Sequence, residues 1–368
     1  MITVGLKHIK LRKNSIFCIA LMLFAVLMYG QKENINIAPK SYIAHYTDES
    51  IIIDGEPSET SWDKAKSTDL FVDIEGVKIP KYKTTVKMLW DNENFYLFAE
   101  MEEPHVWGNL KQKDTIIFYN NDFEVFIDPD NDTHNYYEFE INALNTLWDL
   151  FITKPYREGT PVLNDWDANG FQSSVKVQGT LNDPSDTDKA WSIEMAIPFS
   201  VFKTSYYHKN IPKDTFWRVN FSRVNWDFDL QNNKYVRKKD DKGKFKHEYN
   251  WVWSPIGVIN MHQPEDWGYV YFSSKKIGEQ DEFKIPKDEK VKKLLYHFYR
   301  KQKEYYKKNN EWASTFQELI QDTPVIEGNK VIHTIENHQT GWNITVVSPF
   351  TNHLYVIKED GKIIQKED

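Results

Sequence analysis

The chain has 368 residues, a formal net charge of −8, 15% aromatic residues and a single cysteine. An acidic chain of this kind is poorly suited to nucleic acid or anionic membranes, and one cysteine excludes a disulfide framework. The length accommodates one large or two modest domains, while 13 Trp, 20 Tyr and 22 Phe supply large cores and rings for stacking.

Lys7, Lys10, Arg12 and Lys13 precede an apolar run from Ile16 to Met28, which ends in Tyr29-Gly30-Gln31. A basic start, a short apolar run and a small exit residue read as a secretory signal over residues 1–30. The run is short for a membrane span, so we expect a soluble secreted or periplasmic chain with no membrane association after cleavage. Cleavage removes Cys18 and four positive side chains, which takes the formal charge to −12 over 338 residues.

Residues 31–44 read as a linker. From 45 to 274 short alternating runs are joined by turn-rich loops, with strands expected over 50–53, 84–90, 95–102, 122–128, 136–142, 147–154, 172–179, 190–197, 217–224 and 268–272. No long helical pattern separates them. This predicts a mainly β chain, an antiparallel β-sandwich of roughly ten strands rather than a parallel βαβ sheet. Short helical turns fit 58–66 and 198–202. No Gly-rich phosphate loop, nucleophile elbow or metalloprotease motif interrupts the pattern.

The most informative stretch is 118–151. Phe123, Val125 and Ile127 alternate with Asp122, Glu124 and Phe126, and Tyr137, Phe139 and Ile141 alternate with Tyr136, Glu138, Glu140 and Asn142. One face thus gathers carboxylates, an amide and aromatic rings. Rings stack on C–H faces and polar groups exchange hydrogen bonds with hydroxyls, so such a face suits polyhydroxylated ligands. The bland reading is a solvated outer face. Between the strands, Asp128, Asp130, Asn131 and Asp132 are hard oxygen donors that suit calcium. They lack the central Gly and terminal Glu of an EF-hand loop, and an acidic turn held by Asx hydrogen bonds is the alternative.

After Ser274 the pattern changes. Val291, Leu294, Leu295, Phe298, Tyr305, Trp312, Phe316 and Leu319 recur at helical spacing over 287–319, as one long amphipathic helix or two shorter ones. Strand-like runs follow at 331–336, 342–347, 354–358 and 362–365, with Asp360-Gly361 as a type I′ hairpin signal. Residues 275–368 therefore read as a module of helix and small antiparallel sheet.

Five segments in order resemble carbohydrate-binding module family 9-like domains and cover about residues 45–274. They are Ile52-Ile53-Asp54-Gly55 through Trp62-Asp63-Lys64-Ala65, Val86 through Leu97, Asn121-Asp122-Phe123-Glu124-Val125-Phe126-Ile127-Asp128-Pro129, Trp191 through Phe199, and Pro264-Glu265-Asp266-Trp267-Gly268. The resemblance implies a β-sandwich that binds a poly- or oligosaccharide, works beside a glycan-degrading enzyme and has no catalytic residues of its own. It also implies structural calcium, for which Asp128, Asp130 and Asp132 are the candidate ligands. The sugar-binding members use two clamping tryptophans, an arginine and a glutamate. Glu124 matches the glutamate, whereas the clamp positions fall near Phe118 or Tyr119 and near Met261, and the arginine position falls at Glu140.

The candidate ligand-binding residues are Glu124 and Asn142, then Tyr119, Trp107 and Arg223. Each has a structural counterpart reading: a lone Trp is commonly core, and Arg223 within a strand pairs with a sheet carboxylate. Three classes stay open. The first is an exported carbohydrate-binding protein without catalysis. The second is a glycoside hydrolase drawing on Asp122, Glu124, Glu138, Glu140 and Glu194, and the third is a structural or protein-interaction module.

Overall fold

A computed structural model describes residues 38–155, 158–202, 211–320 and 322–366. The secretory signal expected over 1–30 lies outside the described residues. Strands β1 (Ser41–Tyr46), β2 (Val72–Asp73), β3 (Thr84–Trp90), β4 (Asn94–Glu102), β5 (Asp122–Asp128), β6 (Tyr136–Asn142), β7 (Leu147–Ile152), β8 (Gln172–Gln178), β9 (Ala190–Pro198), β10 (Phe216–Asn225), β11 (Phe228–Gln231), β12 (Lys234–Arg237), β13 (Tyr249–Val252) and β14 (Gly268–Lys276) come first in the chain. All but β11 and β12 join one curled sheet in the order β7-β6-β5-β10-β14-β1-β3-β4-β9-β8, with β13 and β2 branching from β10.

The curl lays the β5-β6-β10 half over the β3-β4-β9 half, so alternation converts directly into a core. Phe123, Val125, Ile127, Tyr137, Phe139, Ile141 and Phe221 meet Val86, Met88, Leu97, Ile193 and Met195 in one apolar cluster. This is the expected β-sandwich. Its seam is parallel, however, because β1 runs alongside both β14 and β3. Residues 50–53 form no strand: Ile51 is buried against Trp62, and the Ile52 N–H donates to Glu59 Oε1 at 2.8 Å instead of to a ladder.

The opening signature is explained by one carboxylate. Glu194 on β9 accepts from Asp54 N, Gly55 N and Trp62 Nε1 at 2.9–3.1 Å, which pins the loop and helix α1 (Thr60–Lys64) to the sheet. Gly55 sits at φ 91°, where a side chain is strained, and an added Cβ would lie 3.1 Å from Lys176 N.

The helical run after Ser274 resolves into α2 (Asp288–Asn309) and α3 (Phe316–Leu319), the second opened by a Thr315/Glu318 capping box. A small ribbon of β15 (Val325–Ile326) and β16 (Asn329–Lys330) leads into the antiparallel sheet of β17 (Ile332–His338), β18 (Gly341–Val347), β19 (Leu354–Lys358) and β20 (Ile363–Lys366). Val291, Leu295 and Phe298 pack on Trp342, Ile344 and Ile357 in a second core. The turn between the last two strands is not type I′. Only Gly361 takes positive φ, at 84°, and Gly361 N bonds Lys358 O while Lys358 N bonds Lys362 O, the pattern of a turn followed by a glycine bulge.

Polar contacts fasten this helix to one end of the sandwich. Arg218 on β10 donates to Glu289 at 2.6 Å with both side chains buried, Tyr296 donates to Thr133 Oγ1 at 3.0 Å, and Arg300 pairs with Glu265. Burial alone would raise the Glu289 carboxyl, but Arg218 and Lys292 hold it below its usual value.

Candidate functional site

The register of the β5-β6-β10 half fixes what lies side by side on its outer face. Ser222 stands opposite Glu124, Glu124 opposite Glu140 and Glu140 opposite Trp148. The neighbouring rows run Val224, Asp122 and Asn142 to one side and Phe126, Glu138 and Leu150 to the other. Four carboxylates therefore occupy two adjacent strands at like-facing positions, as the two-residue period predicts.

This face is not a solvated one. Every residue of β5 and β6 is buried, because Ile74, Ile256, Val258 and Trp267 form a third apolar cluster over Phe126, Tyr136 and Leu150. Glu124 retains 6% exposure, and burial pushes its carboxyl up to about 7. Burial, reinforced by the neighbouring carboxylates, also raises Asp122 and Glu140. Glu138 is raised by burial and by Glu124, and its Oε2 lies 4.0 Å from His262 Nε2.

One margin of the face reaches solvent, and a hairpin builds it. Asn232 and Asn233, both at positive φ (51° and 60°), form the two-residue turn that joins β11 to β12. Arg237 at the end of β12 places its guanidinium over Tyr119 at 4.3 Å, Phe245 at 4.2 Å and Trp226 at 4.6 Å. Tyr119 is 41% exposed and Phe245 49%. The margin meets the carboxylates in two ways: Phe118 N donates to Glu140 Oε2 at 2.9 Å, and Glu248 acts electrostatically on both Glu124 and Arg237. Beside it, Trp226, Tyr82, Phe228, Asp227, Lys81 and Lys238 line a pocket of about 220 Å³.

Of the residues expected to bind ligand, Glu124 and Tyr119 come to this margin. Asn142 does not offer a free amide: its Oδ1 accepts from Leu144 N and Thr146 N, and its Nδ2 donates to Leu110 O at 2.8 Å, so it holds the β6–β7 turn. Trp107 is buried and stacks on Tyr235 at 6.2 Å, supporting the hairpin from beneath. Arg223 points inward, donating to Glu103 Oε2 at 3.0 Å and Glu102 O at 2.8 Å. Met261, at the second clamp position, packs at the edge of the third apolar cluster. Arg237, Phe245 and Glu248 were not expected from the sequence. The Asn232-Asn233 pair is the signal that marks the hairpin carrying Arg237; Phe245 and Glu248 lie in the segment after it.

Asp128, Asp130 and Asp132 also come together, with carboxylate oxygens within 4.8 Å of one another. Asp128 accepts from Asn131 N and Thr133 N at 3.1 and 2.9 Å. Asp132 accepts from His134 N and pairs with Lys362 at 2.8 Å.

The chain matches the carbohydrate family 9 binding domain-like family over residues 53–271. Among solved structures it is similar to a candidate carbohydrate-binding protein from Bacteroides uniformis ATCC 8492, at 18% identity and TM-score 0.49, covering 64% of this chain and 100% of that one. It is also similar to a family 9 carbohydrate-binding module from Caldicellulosiruptor kristjanssonii. The complex of that module with cellotriose has 15% identity and TM-score 0.41, covering 67% of this chain and 100% of that one. Its complex with glucose has 15% identity and TM-score 0.40, covering 66% and 100%. Among curated protein sequences nothing matches.

Proposed function

The chain belongs to the carbohydrate family 9 binding domain-like family, and on that premise we propose that it is an exported saccharide-binding protein without catalytic activity of its own. The observation that carries the reading is the margin where Arg237 is stacked among Tyr119, Trp226 and Phe245. Stacking fixes the guanidinium plane, so its N–H donors meet hydroxyls with little further loss of side-chain freedom. The exposed parts of Tyr119 and Phe245 offer apolar surface to C–H groups. Glu248 supplies an acceptor on the same side. Against hydrolysis, Asp122, Glu124, Glu138 and Glu140 are all nearly enclosed and have no room to flank a glycosidic bond.

The basic and apolar order of residues 7–28 supports export to the periplasm or medium, and among the described residues no helix is long and apolar enough to cross a membrane. In this setting the chain holds a poly- or oligosaccharide on which a separate glycan-degrading enzyme works. Calorimetry with plant, algal and bacterial oligosaccharides tests the reading. Saturable binding is expected, weakened at least about tenfold, or 1.4 kcal/mol, by Arg237→Ala and by Tyr119→Ala. No binding across all three sources, or binding indifferent to both substitutions, would sink it.

A further inference from the structure

The outer face holds more unsatisfied polarity than a folded interior ordinarily keeps. Neither carboxylate oxygen of Asp122 has a hydrogen bond of acceptable geometry, although the side chain is fully buried and the Val224 N–H lies near enough to favour its charged form. Ser222 is 1% exposed and stands opposite Glu124, close enough to favour its carboxylate form. Yet Ser222 Oγ makes no hydrogen bond of acceptable geometry, and Trp148 Nε1, on the residue opposite Glu140, is also buried and partnerless. The oxygens of Asp122 and Ser222 lie on neighbouring strands of one face, whereas the Trp148 N–H is a donor that no cation answers.

Charge identifies what is missing there. Asp122, Glu124 and Glu140 bring carboxylate oxygens within 4.8 Å of one another. Among the described residues no Lys or Arg forms an ion pair with any of them. The other titratable groups facing the cluster are Glu138, with His262 beyond it, and Glu248, with Arg237 beyond it. A proton shared between Glu138 and Glu140 answers part of this charge, but it leaves the Asp122 oxygens and Ser222 Oγ without hydrogen bonds of acceptable geometry. A cation needs no such geometry from its neighbours, and oxygens that share one calcium ion at 2.3–2.6 Å lie at most about 5 Å apart.

We propose that Asp122, Glu124 and Glu140 bind a divalent cation, with Ser222 Oγ as a neutral donor beside them. The donor set is all oxygen, with no thiolate or imidazole, so the cation is of the calcium and magnesium class. The site is separate from the Asp128 loop and stands whether or not a saccharide binds at the margin, because its test reads the ion without any sugar.

The test uses the full chain after chelation, titrated with Ca²⁺ by calorimetry and with Tb³⁺ by luminescence excited through tryptophan, with Trp148 opposite Glu140 as the nearby sensitiser. At least one site is expected that survives Asp130→Asn and is weakened tenfold or more by Glu140→Gln and by Asp122→Asn. Ser222→Ala removes a donor and no charge, so it keeps the test decisive should a carboxylate variant fail to fold. A several-fold weakening is expected there. No binding at millimolar Ca²⁺, binding indifferent to Glu140→Gln, Asp122→Asn and Ser222→Ala, or binding lost only with Asp130→Asn would overturn the proposal.

Discussion

Two acidic clusters lie at opposite ends of strand β5, and they differ in who answers the charge. In the loop after β5, Asp128 receives two backbone N–H groups, and Asp132 receives a third together with the Lys362 ammonium. On the face of β5 and β6, Asp122 receives no hydrogen bond of acceptable geometry, with only the Val224 N–H nearby, and Glu140 receives one N–H from Phe118. The residue types are alike and the counts similar. What separates them is geometry: a turn exposes N–H groups that side chains can reach, whereas inside a ladder those N–H groups are already spent on the neighbouring strand. The loop keeps its shape from its own hydrogen bonds. The face needs an added proton or cation.

The largest expected effect breaks a buried acid whose charge is answered by a neighbour. Glu103 accepts from Arg223, Asn225 and Asn121 at 2.7–3.2 Å within the sandwich. Glu103→Ala leaves Arg223 charged, buried and short of a partner, which costs about 3–5 kcal/mol. Glu140→Gln in metal-free protein at pH 7 removes a carboxyl whose ionised form burial and the neighbouring acids disfavour, and is expected to leave stability unchanged or higher. Urea unfolding of both variants checks the contrast, and equal losses would erase the distinction between an acid paired with a cation and one that has none.

Next comes a pH effect. Glu124 titrates near 7 in the folded protein because burial disfavours its charged form, against about 4.3 in an unfolded chain. Between those values the folded state binds more protons, so metal-free stability falls as pH rises from about 4.3 to 7. The full shift corresponds to roughly 4 kcal/mol for this group, and the raised Asp122, Glu138 and Glu140 act in the same direction. Glu124→Gln removes its share of the slope. Saturating Ca²⁺ flattens or reverses the slope, because the ion competes with protons for the same oxygens. A metal-free midpoint that rises with pH across this window would contradict the assignment.

Alternation made the sandwich legible: β5 and β6 fall where the sequence places them, because period-two patterns over seven residues leave little freedom of register. The same pattern states which side chains leave the core but not what then covers them. The loop residues Ile74, Ile256 and Val258, which close over Phe126 and Leu150, are distant in sequence and carry no periodic signal. The hairpin that brings in Arg237 was hidden for a related reason. Its strands, Phe228–Gln231 and Lys234–Arg237, are short and polar, so only the Asn-Asn turn identifies them. At Asp360-Gly361 the reverse occurs: a strong dipeptide signal gives a hairpin with a different turn, because Asp360 keeps negative φ. Asn142 and Arg223 show the limit for sites. Both are polar and beside the family motifs, yet a turn and a buried partner claim them.

The smallest effect turns the loop into a copy of the face. Lys362 is 37% exposed, and its pairing with Asp132 crosses from the C-terminal sheet to the sandwich. An exposed pair of this kind contributes at most about 1 kcal/mol, and Asp132 keeps its bond from His134 N, so Lys362→Ala is expected to cost less than that in thermal unfolding. The charge left behind matters more than the stability lost. With the ammonium gone, Asp128, Asp130 and Asp132 keep their spacing and lose one competing cation, which favours calcium at oxygen donors. Lys362→Ala is therefore expected to strengthen Ca²⁺ binding at the loop several-fold, in a manner abolished by Asp130→Asn and untouched by Glu140→Gln. Unchanged affinity would mean that backbone N–H groups alone saturate the loop, and that the difference between the clusters lies in hydrogen bonding rather than in charge.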